Sequence, residues 1–99
     1  MVKHTVLFKL KENLDTAVRQ SAMETFRQDI LALTDIIPVI RHIEVGLNCN
    51  PDEQWDICLY SAFDSMEDLQ AYATHPQHLA AAGKLKPLLA GRACVDYNW

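Results

Sequence analysis

From Val2 to Leu10 apolar and polar positions alternate. Val2, His4, Val6, Phe8 and Leu10 share one side, and Lys3, Thr5, Leu7 and Lys9 share the other. A period of two predicts a half-buried strand, with His4 pointing toward whatever covers the apolar side. The period then changes. Val18, Ala22, Phe26 and Ile30 recur at four-residue steps, with Met23 and Leu33 beside them and Arg19, Glu24, Arg27 and Gln28 turned away. That spacing predicts an amphipathic helix of about five turns. Asp15 is the expected N-cap, and the helix should end near Thr34-Asp35, ahead of Pro38.

Alternation returns from Val39 to Asn48 and again from Trp55 to Phe63, separated by the turn-forming run Asn48-Cys49-Asn50-Pro51-Asp52. The two runs predict an antiparallel hairpin, with Trp55, Ile57, Leu59 and Phe63 on the apolar side. Ser65-Met66-Glu67-Asp68 has the form of a capping box opening a short helix that carries Leu69, Tyr72 and Ala73. Pro76 suits the first position of a further helix, Pro87 must disturb that helix, and Gly91 is the expected stop. Ala93 to Trp99 reads as a last strand. Its apolar side, Ala93, Val95, Tyr97 and Trp99, is expected under the helices, with Cys94, Asp96 and Asn98 opposite.

The order β-α-β-β-α-β predicts an α+β fold of ferredoxin-like type, with a four-stranded antiparallel sheet and helices on one face. The 99 residues suffice for one domain, taken as 1–99. The face away from the helices mixes Thr5, Leu7, Cys58 and Tyr60 with charged residues, too apolar for plain solvent contact. Two such sheets facing each other would cover it, so a homodimer closing into an α+β barrel is expected.

A net charge of −4 with no basic run argues against a nucleic-acid partner. The longest strongly apolar cluster, Ile36-Ile37-Pro38-Val39-Ile40, is far short of a membrane span, so no membrane partner is expected. Three cysteines with no CxxC pair, and an N-terminus without a signal-peptide pattern, fit reduced thiols and a cytoplasmic location. No thiol has a basic neighbour that would make it a nucleophile. No cofactor motif is visible.

Proton-transfer chemistry concentrates in Tyr72-Ala73-Thr74-His75-Pro76-Gln77-His78. An imidazole titrating near pH 6.5 both takes and gives protons at cellular pH. His78 is the first candidate base, with Tyr72 as hydrogen-bond donor to a carbonyl oxygen and His4 on the same covered face. The competing reading has His78 packed on the sheet and bonded to a backbone carbonyl. His75, next to the proline, suits a cap. It joins Phe8, Trp55 and Leu59 as candidate pocket lining. His75 and His78 lie three apart, but the intervening proline spoils a shared helical face, so no side-chain metal site is expected.

The opening Val2-Lys3-His4-Thr5-Val6-Leu7-Phe8-Lys9, the Ile37-Pro38 break and the Tyr72…His75-Pro76-Gln77-His78 run together resemble the stress-responsive A/B barrel domain (Dabb) family over essentially the whole chain. The resemblance implies a dimeric α+β barrel, for most members with no assigned reaction. The family's plant members include a polyketide cyclase that acts by intramolecular aldol condensation. In that cyclase type, pocket residues correspond to His4, Tyr72 and His78, while the third-strand histidine has no counterpart in Trp55-Asp56-Ile57-Cys58. The function expected is therefore that of a dimeric barrel protein of unassigned biochemical role, with a small apolar or carbonyl compound as its candidate ligand. The alternative is a cofactor-independent enzyme using His/Tyr acid–base chemistry. A cofactorless monooxygenase, by fold analogy alone, is a third reading.

Overall fold

The computed structural model describes residues 1–99. The elements run β1 (Val2–Leu10), α1 (Thr16–Ala32), a 3-10 turn (Leu33–Asp35), β2 (His42–Leu47), β3 (Ile57–Phe63), α2 (Met66–Ala73), α3 (Pro76–Leu85), a second 3-10 turn (Lys86–Leu88) and β4 (Leu89–Asn98). The sheet order is β2-β3-β1-β4, and every neighbouring pair is antiparallel. This is the ferredoxin-like α+β arrangement expected from the alternation of periods.

β1 is central, and all five of its inward residues are buried, His4 included. Seventeen buried residues form one cluster between sheet and helices, to which β3 adds Ile57, Leu59 and Phe63 and α1 adds Phe26 and Ile30. Val18, placed on the same stripe by spacing, is instead exposed and edges a groove between α1 and α3. Asp15 stands at the N-cap of α1 without a side-chain cap bond; its carbonyl accepts from the Arg19 N–H.

Three boundaries differ from the sequence expectation. β2 begins at His42, not Val39, because the chain around Pro38 turns back on itself: the Ile40 N–H reaches the Ile37 carbonyl at 3.3 Å, and Ile40 plugs the core. β3 begins at Ile57, not Trp55. Asp56 is still bonded on both sides, its N–H to the Phe8 carbonyl and its carbonyl to the Asn48 N–H, while its carboxylate accepts from the Leu10 N–H at 2.8 Å and pairs with Arg19 at 3.3 Å; Trp55 has no place in the ladder. β4 begins at Leu89, not Ala93. α3 stops at Leu85, because Pro87 supports only the tighter 3-10 turn that follows. Gly91 is therefore no helix stop. It lies within β4 opposite Lys9, beside a register shift, where a Cβ would come 3.8 Å from the Trp55 ring.

The larger correction concerns the faces of β4. Arg92 pairs with Phe8, Cys94 with Val6 and Asp96 with His4, so the polar side of β4 faces the helix layer. Ala93, Val95 and Tyr97 lie on the open face beside Leu7, Thr5 and Lys3. β4 is an edge strand. Its inward side borders the helices rather than lying beneath them, and Cys94 and Asp96 remain partly in contact with solvent.

The opening of α2 shows one half of the expected capping box: the Ser65 hydroxyl accepts from the Asp68 N–H at 3.1 Å, and the Asp68 carboxylate makes no return bond to the Ser65 N–H. Ser65→Ala should lower stability by about 1 kcal/mol, read from the urea midpoint at constant m-value. An unchanged midpoint would show that this bond contributes nothing to anchoring the helix that carries Tyr72.

Candidate functional site

The helix break at Thr74-His75-Pro76 decides where the rings point. Thr74 closes α2, and His75 is the N-cap of α3, its Nδ1 accepting from the Gln77 N–H at 3.1 Å. Pro76 follows at the first helical position, where its missing N–H costs no helical bond. His78 thus falls in the first turn of α3, facing back toward the end of α2. Its Nδ1 lies 3.0 Å from the Ala73 carbonyl, one of the oxygens that α2 leaves without a helical partner. A carbonyl only accepts, so Nδ1 carries the proton and Nε2 of the neutral ring keeps its lone pair. The carbonyl bond expected of a purely structural histidine is present, and it fixes the ring while leaving the lone pair of the other nitrogen uncommitted.

Tyr72 is fully buried on the last turn of α2. Its ring centroid lies 4.5 Å from that of His78, 5.0 Å from that of Phe63 and 6.5 Å from that of His4. Its hydroxyl has no hydrogen-bond partner within the chain, and the same holds for the buried Ser61 hydroxyl on β3. Burial pushes the Tyr72 phenol far above its ordinary range, so it remains a donor at any working pH. His4 donates from Nδ1 to the Asp96 carboxylate. This leaves His4 Nε2 on the opposite edge of the ring.

His4, Tyr72 and His78 line one cavity of about 520 Å³ between α3 and the sheet. Phe8 and Leu59 line it as expected, together with Val6, Phe26, Leu79, Leu85 and Leu89. Its size lies within the range of small-molecule sites, and its walls are mostly apolar with a few convergent polar groups. Two expected residues are elsewhere. Trp55 stands just before β3, edging a shallow groove on the open face with Leu7 and Cys58. The alternation that placed it inward stops at Asp56. His75 is spent as a cap outside the cavity.

Four residues at or beside the site escaped the sequence reading: Lys86, Arg92, Cys94 and Asp96. The signal was available in β4, whose alternate residues Arg92, Cys94 and Asp96 are all polar or ionisable. A buried histidine on the neighbouring strand needs such a partner. Local desolvation and the nearby Asp96 push the Cys94 thiol up, so it is not an activated nucleophile. His4, Cys94 and Asp96 bring one nitrogen, one sulfur and one oxygen within 4.8 Å of one another, a trio able to hold a metal ion. It joins two strands some ninety positions apart, so no local spacing marks it.

A sequence model described as the stress responsive A/B barrel domain matches residues 2–99. The chain belongs to this family. Within the ferredoxin-like group, a protein of unknown function from Bacteroides fragilis NCTC 9343, described as dimeric, is 50% identical. That comparison covers 99% of this chain and 95% of the other, with a TM-score of 0.97. The olivetolic acid cyclase of Cannabis sativa is 27% identical over 100 residues, covering 98% of this chain and 95% of its own. The hydroxynitrile lyase of Passiflora edulis is 21% identical with a TM-score of 0.78, covering 97% of this chain and 90% of the other, a likeness of fold alone. No helix of this family member is long and apolar enough to cross a membrane.

Burial lowers the His78 imidazole below its usual 6.5. The Ala73 carbonyl opposes this, while charge on His4, Arg92 and His75 adds to it. The unfolded chain therefore takes up this proton first as pH falls. The group's contribution to stability is complete above pH 6.5 and is lost between 6.5 and the lower folded value. His78→Gln, which keeps an N–H for the Ala73 carbonyl, should flatten the fall of the urea midpoint below pH 6.5. Parallel slopes for wild type and variant would show that His78 does not titrate below its unfolded value.

Proposed function

We propose that the protein is a homodimeric A/B barrel protein that binds a small, largely apolar carbonyl compound in the cavity of each protomer and moves a proton there. The observation that carries this reading is that His78, held neutral and oriented by Ala73, and Tyr72, whose buried hydroxyl has no partner within the chain, line one apolar cavity. In the proposed step, His78 Nε2 takes a proton from the carbon beside a carbonyl. The C–H electron pair moves into a new C=C bond, and the carbonyl oxygen becomes an enolate that accepts a hydrogen bond from Tyr72. The enolate carbon then attacks a second carbonyl of the same molecule, and the proton on His78 goes to the alkoxide formed. The name of the cyclase relative supports an acid as the kind of compound handled. Binding without chemistry is the competing reading, whereas a monooxygenase reading rests on fold alone.

Methyl 3-oxooctanoate in deuterated buffer tests the step by exchange at the carbon between its carbonyls. His78→Ala should lower the rate above buffer by about 10²–10⁴-fold. Tyr72→Phe should lower it by about 10²-fold while leaving the urea midpoint unchanged or higher, since it removes an unpaired buried hydroxyl. Binding of the ester with no enhanced exchange in wild type would reduce the function to ligand binding.

The dimer reading rests on the open face, where Val95 is 61% and Tyr97 43% exposed beside Leu7, and on the relative described as dimeric. Val95→Lys should convert the dimer to monomer in sedimentation velocity. A variant that keeps the dimer mass would place the contact on another surface.

A further inference from the structure

We infer that the cavity recognises an oxyanion-headed ligand, a carboxylate or phosphate, through Arg92 and Lys86. This deepens the small-molecule reading above and rests on it. Apart from the histidines, Arg92 and Lys86 are the only ionisable side chains with charge among the cavity's lining residues, and no aspartate or glutamate lines it. The chain has a surplus of acids, with net charge −4, so an arginine without a carboxylate partner stands out. Arg19 pairs with Asp56, Arg27 with Glu24 and Arg41 with Asp64. Arg92 has no such pair, nor has Lys86, although the neighbouring Lys84 is bonded to Asp29 at 3.0 Å.

The two cations come from separate elements, Lys86 from the turn after α3 and Arg92 from β4, and meet at one cavity. Arg92 is on the inward side of its strand because it pairs with Phe8, which also lines the cavity. Its charge is felt at both His78 and Cys94, so it lies within reach of the proposed reacting centre. A guanidinium presents a planar fork of donors that fits a carboxylate or phosphate two-pronged, and a nearby ammonium adds a second positive charge. The cavity's mostly apolar walls suit a hydrocarbon chain. The ligand class is therefore an amphiphile with an anionic head.

Calorimetric titration of the full-length protein with octanoate, octanamide and octyl phosphate tests this. Octanoate or octyl phosphate should bind at least about tenfold more tightly than octanamide, and the tighter of the two identifies the head. Arg92→Gln should remove that advantage while leaving octanamide affinity unchanged, with Lys86→Gln acting more weakly. The melting curve of each variant checks its fold, and Arg92→Lys should recover part of the advantage. If octanamide binds as well as both anions, or Arg92→Gln changes all three alike, the anion subsite is wrong while the cavity reading stands. If none of the three binds, both fall.

Discussion

An imidazole on the buried side of a central strand must find a polar partner, and much of this protein follows from how His4 finds one. Its neighbours along β1 are Val2 and Val6, and across the sheet it faces Ser61 and Asp96. Asp96 accepts its proton. Because side chains alternate along a strand, fixing Asp96 inward also turns Cys94 and Arg92 inward and sends Ala93, Val95 and Tyr97 outward. One hydrogen bond thus accounts for two features that look unrelated: a polar border to the helix–sheet cavity and an apolar patch on the open sheet face. A one-residue slip of β4 would place Val95 or Tyr97 against His4 and leave the imidazole without its acceptor.

The second constraint is the break between α2 and α3. A helix end leaves carbonyls that need donors, and here His78 supplies one to Ala73. The bond is structural, yet it also selects the tautomer and orients the ring. Tyr72 shows the opposite balance. Burying its hydroxyl without a partner costs about 1–3 kcal/mol, a loss offset by complete burial of its ring, worth about 1.5–3 kcal/mol for a large apolar side chain. The fold tolerates the donor because Phe63 and the two histidines pack around the aromatic body.

Periodicity made the element order readable, and the convergence of Tyr72 and His78 followed from Pro76 between them. Those features are local: alternation, helical spacing and a proline act within a few residues. The faces of β4 were not readable in the same way. Its more apolar side, Ala93, Val95 and Tyr97, resembles a core side, and only the partner requirement of His4 reverses the assignment. Trp55 shows a related limit. Its parity with Ile57 is correct along the chain, but the backbone pairing goes no further than Asp56, whose carboxylate takes the Leu10 N–H, so parity no longer tells where the indole lies. Arg92 and Lys86 are ordinary surface residues by sequence. Their presence at one cavity depends on the β1–β4 register and on the turn around Pro87, both set by distant contacts.

The electrostatics of the cavity bear on the proposed chemistry in two opposing ways. Burial and the nearby cations lower the proton affinity of His78, which keeps the ring neutral at pH 7 but makes it a weaker base. The same positive surroundings favour negative charge on a bound molecule, and the Tyr72 donor adds to this at short range. Proton transfer depends on the difference between base and carbon acid. A field that weakens the imidazole as a base while strengthening a bound carbon acid leaves that difference less changed than either shift alone, with the imidazole kept unprotonated. A purely apolar cavity would depress His78 in the same direction with no compensating gain for the enolate. The polar side of β4, turned inward by the needs of His4, is what separates this cavity from such a pocket.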